Sequence, residues 1–138
     1  MKKSDRLHKK AFYWLAGLLV VAAAATGWAY DAQDSNENGV RVTVTPQVLS
    51  PDKPAQFEIR LNTHSVALEQ DLTQVAELRG TQGQVYAVTG WDGSPPGGHH
   101  RSGTLTFANL QGSIDGVTLV LRDIAGVPQR TFSWKIEQ

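Results

Sequence analysis

The chain has 138 residues with 13 basic and 13 acidic side chains and no cysteine. This length suits a single domain, and the lack of cysteine excludes disulfides, thiolate metal sites and thiol catalysis. The zero net charge averages two unlike parts, because residues 1–10 carry a net +4, whereas residues 31–138, with 12 acidic and 8 basic side chains, carry −4. A mildly acidic main part without a basic stripe argues against nucleic acid as a partner.

Residues 11–30 form an uncharged, mainly apolar stretch of 20 residues. As a helix it would be about 30 Å long, the thickness of the hydrocarbon core of a bilayer. Five basic residues precede it, and aromatic rings lie near both of its ends: Tyr13, Trp14, Trp28 and Tyr30. Basic residues stay on the cytoplasmic side, and such rings prefer the membrane interfaces. The sequence therefore predicts a single-pass inner-membrane anchor with a cytoplasmic tail at residues 1–10 and an extracytoplasmic remainder.

A cleaved signal peptide is the alternative for the same stretch. It has the same basic start, Leu15–Thr26 would be its apolar core, and Gly27-Trp28-Ala29 would be its cleavage site. In either case residues 31–138 lie in the periplasm or outside the cell.

Residues 31–39 are polar and lack apolar periodicity, which predicts a linker before a domain at residues 40–138. Asp34–Gly39 also resembles the first half of a calcium loop, with oxygen ligands at positions 1, 3 and 5 and glycine at position 6. Position 12 of that loop is Thr45, where a bidentate glutamate is required. The pattern therefore favours a solvated linker.

From Val40 onward, apolar residues recur at every second position, which is typical of half-buried strands. Seven strands are predicted: Val40–Thr45 before Pro46, Gln56–Asn62, Gln74–Arg79, Gln84–Thr89, Gly103–Ala108, Val117–Asp123 and Arg130–Glu137. Glycine- and proline-containing turns separate them, and no amphipathic helix is evident. The predicted fold is mainly β: an antiparallel, immunoglobulin-like sandwich of about seven strands, preceded by the transmembrane helix.

Two segments differ from ordinary strands and turns. The first contains His64, and the second, residues 91–103, contains His99 and His100 beside two glycines. Imidazole is a common ligand of Cu²⁺ and Zn²⁺, and glycine gives the backbone freedom to orient a ring. We therefore predict a divalent metal site of His64, His99 and His100. A nearby carboxylate would complete the site or orient a ring: Asp71, Glu69 or Asp92.

The competing interpretation gives the same residues a structural or interface role. Imidazole and guanidinium groups often satisfy loop carbonyls, so His64 would hydrogen-bond across to the long loop and His99 or His100 would tie that loop to the sheet. Arg101 is a candidate supporting or interface residue. Trp91 would then anchor the loop. Enzymatic function is not expected, because the chain contains neither a G-x-S-x-G elbow nor a phosphate-binding glycine loop.

One group of motifs resembles small membrane-anchored bacterial envelope proteins. The motifs are Thr63-His64-Ser65, Leu68-x-x-Asp71-Leu72, Trp91-x-Gly93 and Gly97-Gly98-His99-His100-Arg101-x-Gly103-x-Leu105-x-Phe107. The layout of one helix followed by a β-sandwich is also similar to FixH and YtkA-like proteins and to periplasmic copper-handling domains. The resemblance implies architecture alone and carries no activity.

The expected function is that of a membrane-tethered, extracytoplasmic binding module that holds Cu²⁺ or Zn²⁺ through its histidine loop. The alternative is a structural or assembly subunit whose loop contacts another envelope protein.

Overall fold

The computed structural model describes residues 30–137, which form nine strands and one short helix. The elements are β1 (Gln33–Glu37), β2 (Val40–Val48), β3 (Pro54–Thr63), α1 (Leu72–Val75), β4 (Ala76–Gly80), β5 (Val85–Tyr86), β6 (Val88–Gly93), β7 (His100–Asn109), β8 (Gly116–Ile124) and β9 (Val127–Lys135). They build two antiparallel sheets, in the orders β1-β2-β3-β7-β6 and β5-β4-β8-β9. The predicted mainly β, sandwich-like architecture is confirmed.

The core lies between the two sheets and follows the alternation seen in the sequence. Val40, Val42 and Val44 on β2 are fully buried, as are the inward residues of β3, β7 and β8. The Phe57 ring of one sheet lies 5.4 Å from the Trp134 ring of the other, measured between centroids. Apolar side chains that alternate along both sheets therefore interdigitate in one core.

Two tight hairpin turns meet at one end of the sandwich. Asn38 and Gly39 both have positive φ and connect the paired residues of β1 and β2. Ala125 and Gly126 do the same between β8 and β9. Two such residues in succession give the turn that matches the twist of a hairpin. The Asn38 side-chain amide donates to the Ala125 carbonyl oxygen at 3.0 Å, which joins the two turns.

The segment for which the sequence predicted a linker contains β1. The Gln33 side chain donates to the Ser133 carbonyl at 2.7 Å and accepts from the Ser133 amide at 3.2 Å. The Trp134 indole donates to the Asp31 carbonyl at 2.8 Å. β1 has no apolar alternation because its side chains hydrogen-bond to the edge of β9 instead of filling the core. Asp34 of the calcium-like pattern lies in this strand and pairs with Arg41.

Three other segments differ in detail from the prediction. Pro46 lies inside β2, where the register shifts, and does not end the strand; a proline is tolerated at such a bulge. The predicted strand at 74–79 begins as α1 and continues as β4. The predicted strand at 84–89 is split into β5 and β6, which belong to different sheets. The chain therefore changes sheets at Ala87.

The two ends of the sandwich differ. At one end, the Tyr30 hydroxyl accepts from the Glu137 amide at 3.0 Å and donates to the Leu49 carbonyl at 3.3 Å. β1 leads from there to the opposite end, where the Thr63 hydroxyl donates to the Gly39 carbonyl at 2.7 Å. We call this opposite end the loop end; it comprises the two hairpin turns, residues 64–71 and residues 94–99.

No helix within residues 30–137 has the length and apolar character needed to cross a membrane. The predicted anchor, its signal-peptide alternative and the basic tail fall almost entirely outside the described residues.

Candidate functional site

A buried arginine organises the loop end. Arg101 lies on the inward face of β7, the same face as Gly103 and Leu105, and its side chain is almost fully buried. Its guanidinium donates to three carbonyl oxygens: those of Leu68 at 3.2 Å, Gln70 at 2.6 Å and Ser94 at 3.2 Å. One side chain therefore connects residues 64–71 to residues 94–99.

The electrostatic environment of Arg101 combines burial with nearby charges. Burial lowers the pKa of the guanidinium, while the carboxylates of Asp71 and Glu69 act in the opposite direction. Its central carbon also lies 5.9 Å from the centroid of the Trp91 ring, within the range of a cation–π interaction. These contacts offset part of the desolvation of the charge, although the buried Nε atom of Arg101 has no hydrogen-bond partner within residues 30–137.

Trp91 lies over a pair of glycines. Gly93 on β6 is directly opposite Gly103 on β7, and a Cβ atom built on either would lie within 3 Å of the indole. The indole nitrogen donates to the Ser94 carbonyl at 2.9 Å, the same oxygen that Arg101 contacts. The Trp-x-Gly and Arg-x-Gly patterns are therefore parts of one packing arrangement, with the glycines leaving room for the ring.

Residues 94–99 are also held by backbone hydrogen bonds. The Leu68 amide donates to the Gly98 carbonyl at 2.9 Å, and the Gly97 amide donates to the Leu68 carbonyl at 2.7 Å. The Thr63 amide donates to the His99 carbonyl at 3.0 Å. Gly97 and Gly98 both have positive φ, which lets the chain turn between these contacts. These hydrogen bonds fix residues 94–99 against residues 63–68. We call residues 94–99 the ledge.

The three candidate histidines lie at the surface of the loop end. The His100 Nδ1 atom is 2.8 Å from the Asn62 side-chain oxygen, and the His64 and His100 rings meet edge to face with centroids 6.4 Å apart. His99 contributes its carbonyl to the ledge but makes no ring contact with the other two. Within residues 30–137, no three His, Asp or Glu side chains are close enough to hold a metal ion together. The structure thus brings together two of the three predicted ligands.

The two predicted supporting carboxylates have different surroundings. Asp71 caps α1: its side chain accepts from the Thr73 amide at 2.9 Å and from the Thr73 hydroxyl at 2.6 Å. These hydrogen bonds lower the pKa of Asp71, with a smaller contribution from Arg101. Asp92 is exposed on β6 opposite Thr104. Asp71 therefore shapes the segment that covers Arg101, and neither carboxylate is part of a ligand cluster.

Beside the histidine pair, the outer face of the five-stranded sheet carries a shallow cavity. It has a volume of about 170 Å³ and is lined by Arg60, Asn62, His100, Arg101 and Ser102. Asn62 is directly opposite His100, and Arg60 is directly opposite Ser102. Arg60 pairs with Glu58 through two contacts of 3.3 Å, so its charge is largely balanced.

Sequence reasoning missed a second buried arginine at the same end. The guanidinium of Arg130 on β9 makes five hydrogen bonds, to the carbonyl oxygens of Ser35, Glu37, Val40 and Ile124 and to the Ser35 hydroxyl. It therefore links the β1–β2 hairpin to the end of β8. The sequence did contain a signal: Arg130 precedes Phe132 and Trp134 at two-residue intervals, so in a strand it points to the same buried side as they do.

Comparison with protein-family models, with curated proteins and with solved structures finds no match to this chain.

Proposed function

We propose that this chain is a non-enzymatic binding module that presents its loop end to another protein of the cell envelope. In this proposal residues 11–30 tether an immunoglobulin-like sandwich to the membrane. The contact surface consists of the exposed His64, His99 and His100 on the ledge of residues 94–99, together with the adjacent outer face of β3 and β7.

The observation that carries the proposal is the buried Arg101. Burying a guanidinium is costly unless its hydrogen bonds are satisfied, and here they serve irregular backbone that has no strand partner. The result is an irregular surface fixed before any partner arrives. Preformed surfaces bind more tightly because less conformational entropy is lost on association. Loops held in this way on a rigid sandwich are frequent binding sites.

The direction of the tether supports the same surface. The hydroxyl of Tyr30, the last residue of the predicted anchor, bonds near Leu49 and Glu137 at the end opposite the histidines. From Asp31 onward the chain is hydrogen-bonded to β9, so no flexible linker of many residues would separate the predicted anchor from the domain. A strand of ten residues such as β3 spans about 33 Å. The loop end would therefore project from the membrane by about that distance.

Site-specific photo-cross-linking in the membranes of the producing cells tests the proposal. A photoreactive residue replaces His99 in the full chain, and the matched control replaces Ser113, an exposed residue of the loop that follows β7 at the Tyr30 end. We expect one defined cross-linked species from position 99, suppressed by excess unlabelled chain, and none from position 113. No product at position 99, or the same product from both positions, contradicts the proposal.

A further inference from the structure

We propose that His64 and His100 form a two-histidine site for a divalent transition metal ion, with Cu²⁺ bound more tightly than Zn²⁺, and that water or side chains of a partner protein complete its coordination. The involvement of a partner in this site depends on the binding function proposed above. The metal chemistry depends only on the two side chains and on Asn62.

The two rings lie within reach of a shared ion if both side chains rotate. Metal–nitrogen bonds of 2.0–2.1 Å place two imidazoles on one tetrahedral ion with centroids about 5 Å apart. The observed separation is 6.4 Å, and the rings meet edge to face. Both side chains are exposed, so small rotations about their χ angles can close the remaining distance without disturbing the core.

Asn62 prepares His100 for this role. Its side-chain oxygen accepts from Nδ1 of His100 at 2.8 Å, which places the proton on Nδ1 and leaves the lone pair on Nε2. Metal-binding histidines characteristically donate their second ring N–H to an oxygen in this way, which fixes the ring and raises its basicity. Asn62 and His100 are directly opposite each other on β3 and β7, so the sheet holds this arrangement.

The surrounding charges permit a cation. The arginines on the same outer face are paired: Arg60 with Glu58 at 3.3 Å and Arg41 with Asp34 at 2.5 Å. Arg101 directs its guanidinium to the inner side, toward the carbonyls of residues 68–70 and 94. Arg101 lines the cavity beside His100, so an ion between the two rings would share its surroundings with a guanidinium whose donors are taken by backbone carbonyls.

The two histidines supply too few ligands to complete a metal site, which leaves coordination positions for a partner. Structural zinc sites use four protein ligands and catalytic sites use three. In the described part of the chain the histidine pair supplies two, and Asp71, one of the predicted supporting carboxylates, is occupied as the cap of α1. Such a site retains open positions that water fills in the isolated protein and that a histidine or carboxylate of a partner can take. Metal would then strengthen the contact made by the loop end.

The experiment uses the full chain in detergent micelles without a polyhistidine tag. His8 is replaced by alanine in every sample because it is the fourth imidazole of the chain. Binding of Cu²⁺ is followed by electron paramagnetic resonance, and binding of Zn²⁺ by calorimetry. We expect one Cu²⁺ per chain with hyperfine coupling to two imidazole nitrogens, and weaker binding of Zn²⁺, as the Irving–Williams order requires.

Three variants and a matched control identify the ligands. His64→Ala and His100→Ala should each abolish the two-nitrogen signal, whereas His99→Ala, the neighbouring exposed histidine, should retain it. Asn62→Ala should weaken Cu²⁺ binding about 10- to 100-fold through loss of ring orientation. Absence of Cu²⁺ binding, survival of the two-nitrogen signal in His64→Ala, or its loss in His99→Ala overturns the assignment.

The cross-linking experiment separates this inference from the proposed function. If Cu²⁺ does not bind and the cross-link at position 99 persists in chelator, the metal site is refuted and the binding module stands. If Cu²⁺ binds through two nitrogens but position 99 gives no cross-link, the metal site stands and the partner is refuted.

Discussion

Arg130 and Arg101 are two buried arginines at the same end of the sandwich, and they serve different parts of the backbone. Arg130 makes five hydrogen bonds, mostly to carbonyls of regular hairpins, and so connects β1 and β2 to β8. Arg101 makes three, all to irregular segments that lie beside exposed histidines. The same chemistry therefore closes the fold in one place and shapes a surface in the other.

The comparison shows where a buried charge is informative about function. A buried guanidinium contributes little net stability over an apolar residue, but removing it leaves buried carbonyls unsatisfied. At Arg130 those carbonyls belong to strands that would exist in any sandwich of this topology. At Arg101 two of them belong to residues 64–71 and one to the ledge of residues 94–99, and neither segment is a strand of the sandwich. The fixed conformation of that ledge is therefore the feature that a functional role would explain.

The largest expected effect is on global stability at Arg130. Arg130→Ala should lower the free energy of unfolding by about 4 kcal/mol, because four carbonyl oxygens lose their hydrogen-bond donor and the deleted side chain leaves a cavity. Chemical denaturation of the full chain measures this. Arg130→Lys should recover little, since one ammonium cannot reproduce the planar fork of donors. A loss under about 1 kcal/mol would refute the structural role assigned to Arg130.

Arg101→Ala should have a smaller and more local effect. We expect a loss of about 2 kcal/mol in the free energy of unfolding. The effect is smaller than at Arg130 because the Leu68 and Ser94 carbonyls keep the Gly97 amide and the Trp91 indole as donors, whereas the Gln70 carbonyl loses its arginine donor. Amide exchange should accelerate at Leu68 and Gly97 but not in the β8–β9 ladder, because the variant releases the ledge alone. Equal acceleration in both regions would mean that Arg101 is part of the global core, and the distinction between the two arginines would fail.

Two glycine variants in β6 test the packing of the Trp91 ring against Gly93. A Cβ atom on Gly93 would lie 2.4 Å from the Ser102 carbonyl oxygen and 2.8 Å from the indole, whereas one on Gly90 has no neighbour within 4 Å. Gly93→Ala should therefore cost about 1–3 kcal/mol in unfolding free energy, and Gly90→Ala should be close to neutral. Thermal denaturation followed by tryptophan fluorescence reports both. Similar values for the two variants would contradict the packing described.

The smallest effect concerns the cap that covers Arg101. Hydrogen bonds from Thr73 lower the pKa of Asp71 in the folded protein. The unfolded chain therefore binds the proton more readily, so the stabilisation by Asp71 is present above its usual pKa near 3.8 and is lost as pH falls through the lower folded-state value. Asp71→Ala should remove a small part of the acid dependence of stability, measured by denaturation between pH 2 and 6. Asp92→Ala is the control, and an equal change there would exclude the cap as the cause.

The sequence predicted the regular part of the fold well because alternation is a local signal. β2, β3, β7, β8 and β9 were all found near their true bounds, since each carries apolar side chains at every second position. β1 was missed because it lacks apolar alternation: it pairs with β2 through the Asn38-Gly39 turn, and its side chain Gln33 contacts Ser133, far away in sequence. Contacts of that kind leave no pattern in the strand itself.

The candidate site was predicted in location but not in the division of roles. The histidine loop and its neighbours do meet at one end, where Trp91 contacts the loop as the structural interpretation predicted. The unpredicted features are that Arg101, and not a histidine ring, contacts the loop carbonyl of Ser94, and that His64 and His100 are the two rings in contact. Parity could have indicated this, because Arg101 occupies an inward position two residues before Gly103 and four before Leu105. The pairing of His100 with Asn62 could not, since it depends on the register between β3 and β7.

The most direct test of the central claim is hydrogen exchange at the Gly97 amide in the unmodified chain. This amide donates to the Leu68 carbonyl at 2.7 Å in a segment rich in glycine and proline. If Arg101 holds a preformed surface, Gly97 should exchange at least about tenfold more slowly than Gly112, which lies in an exposed turn at the other end. Exchange of Gly97 as fast as that of Gly112 would show that the ledge is not held, and the binding surface proposed for the loop end would fail.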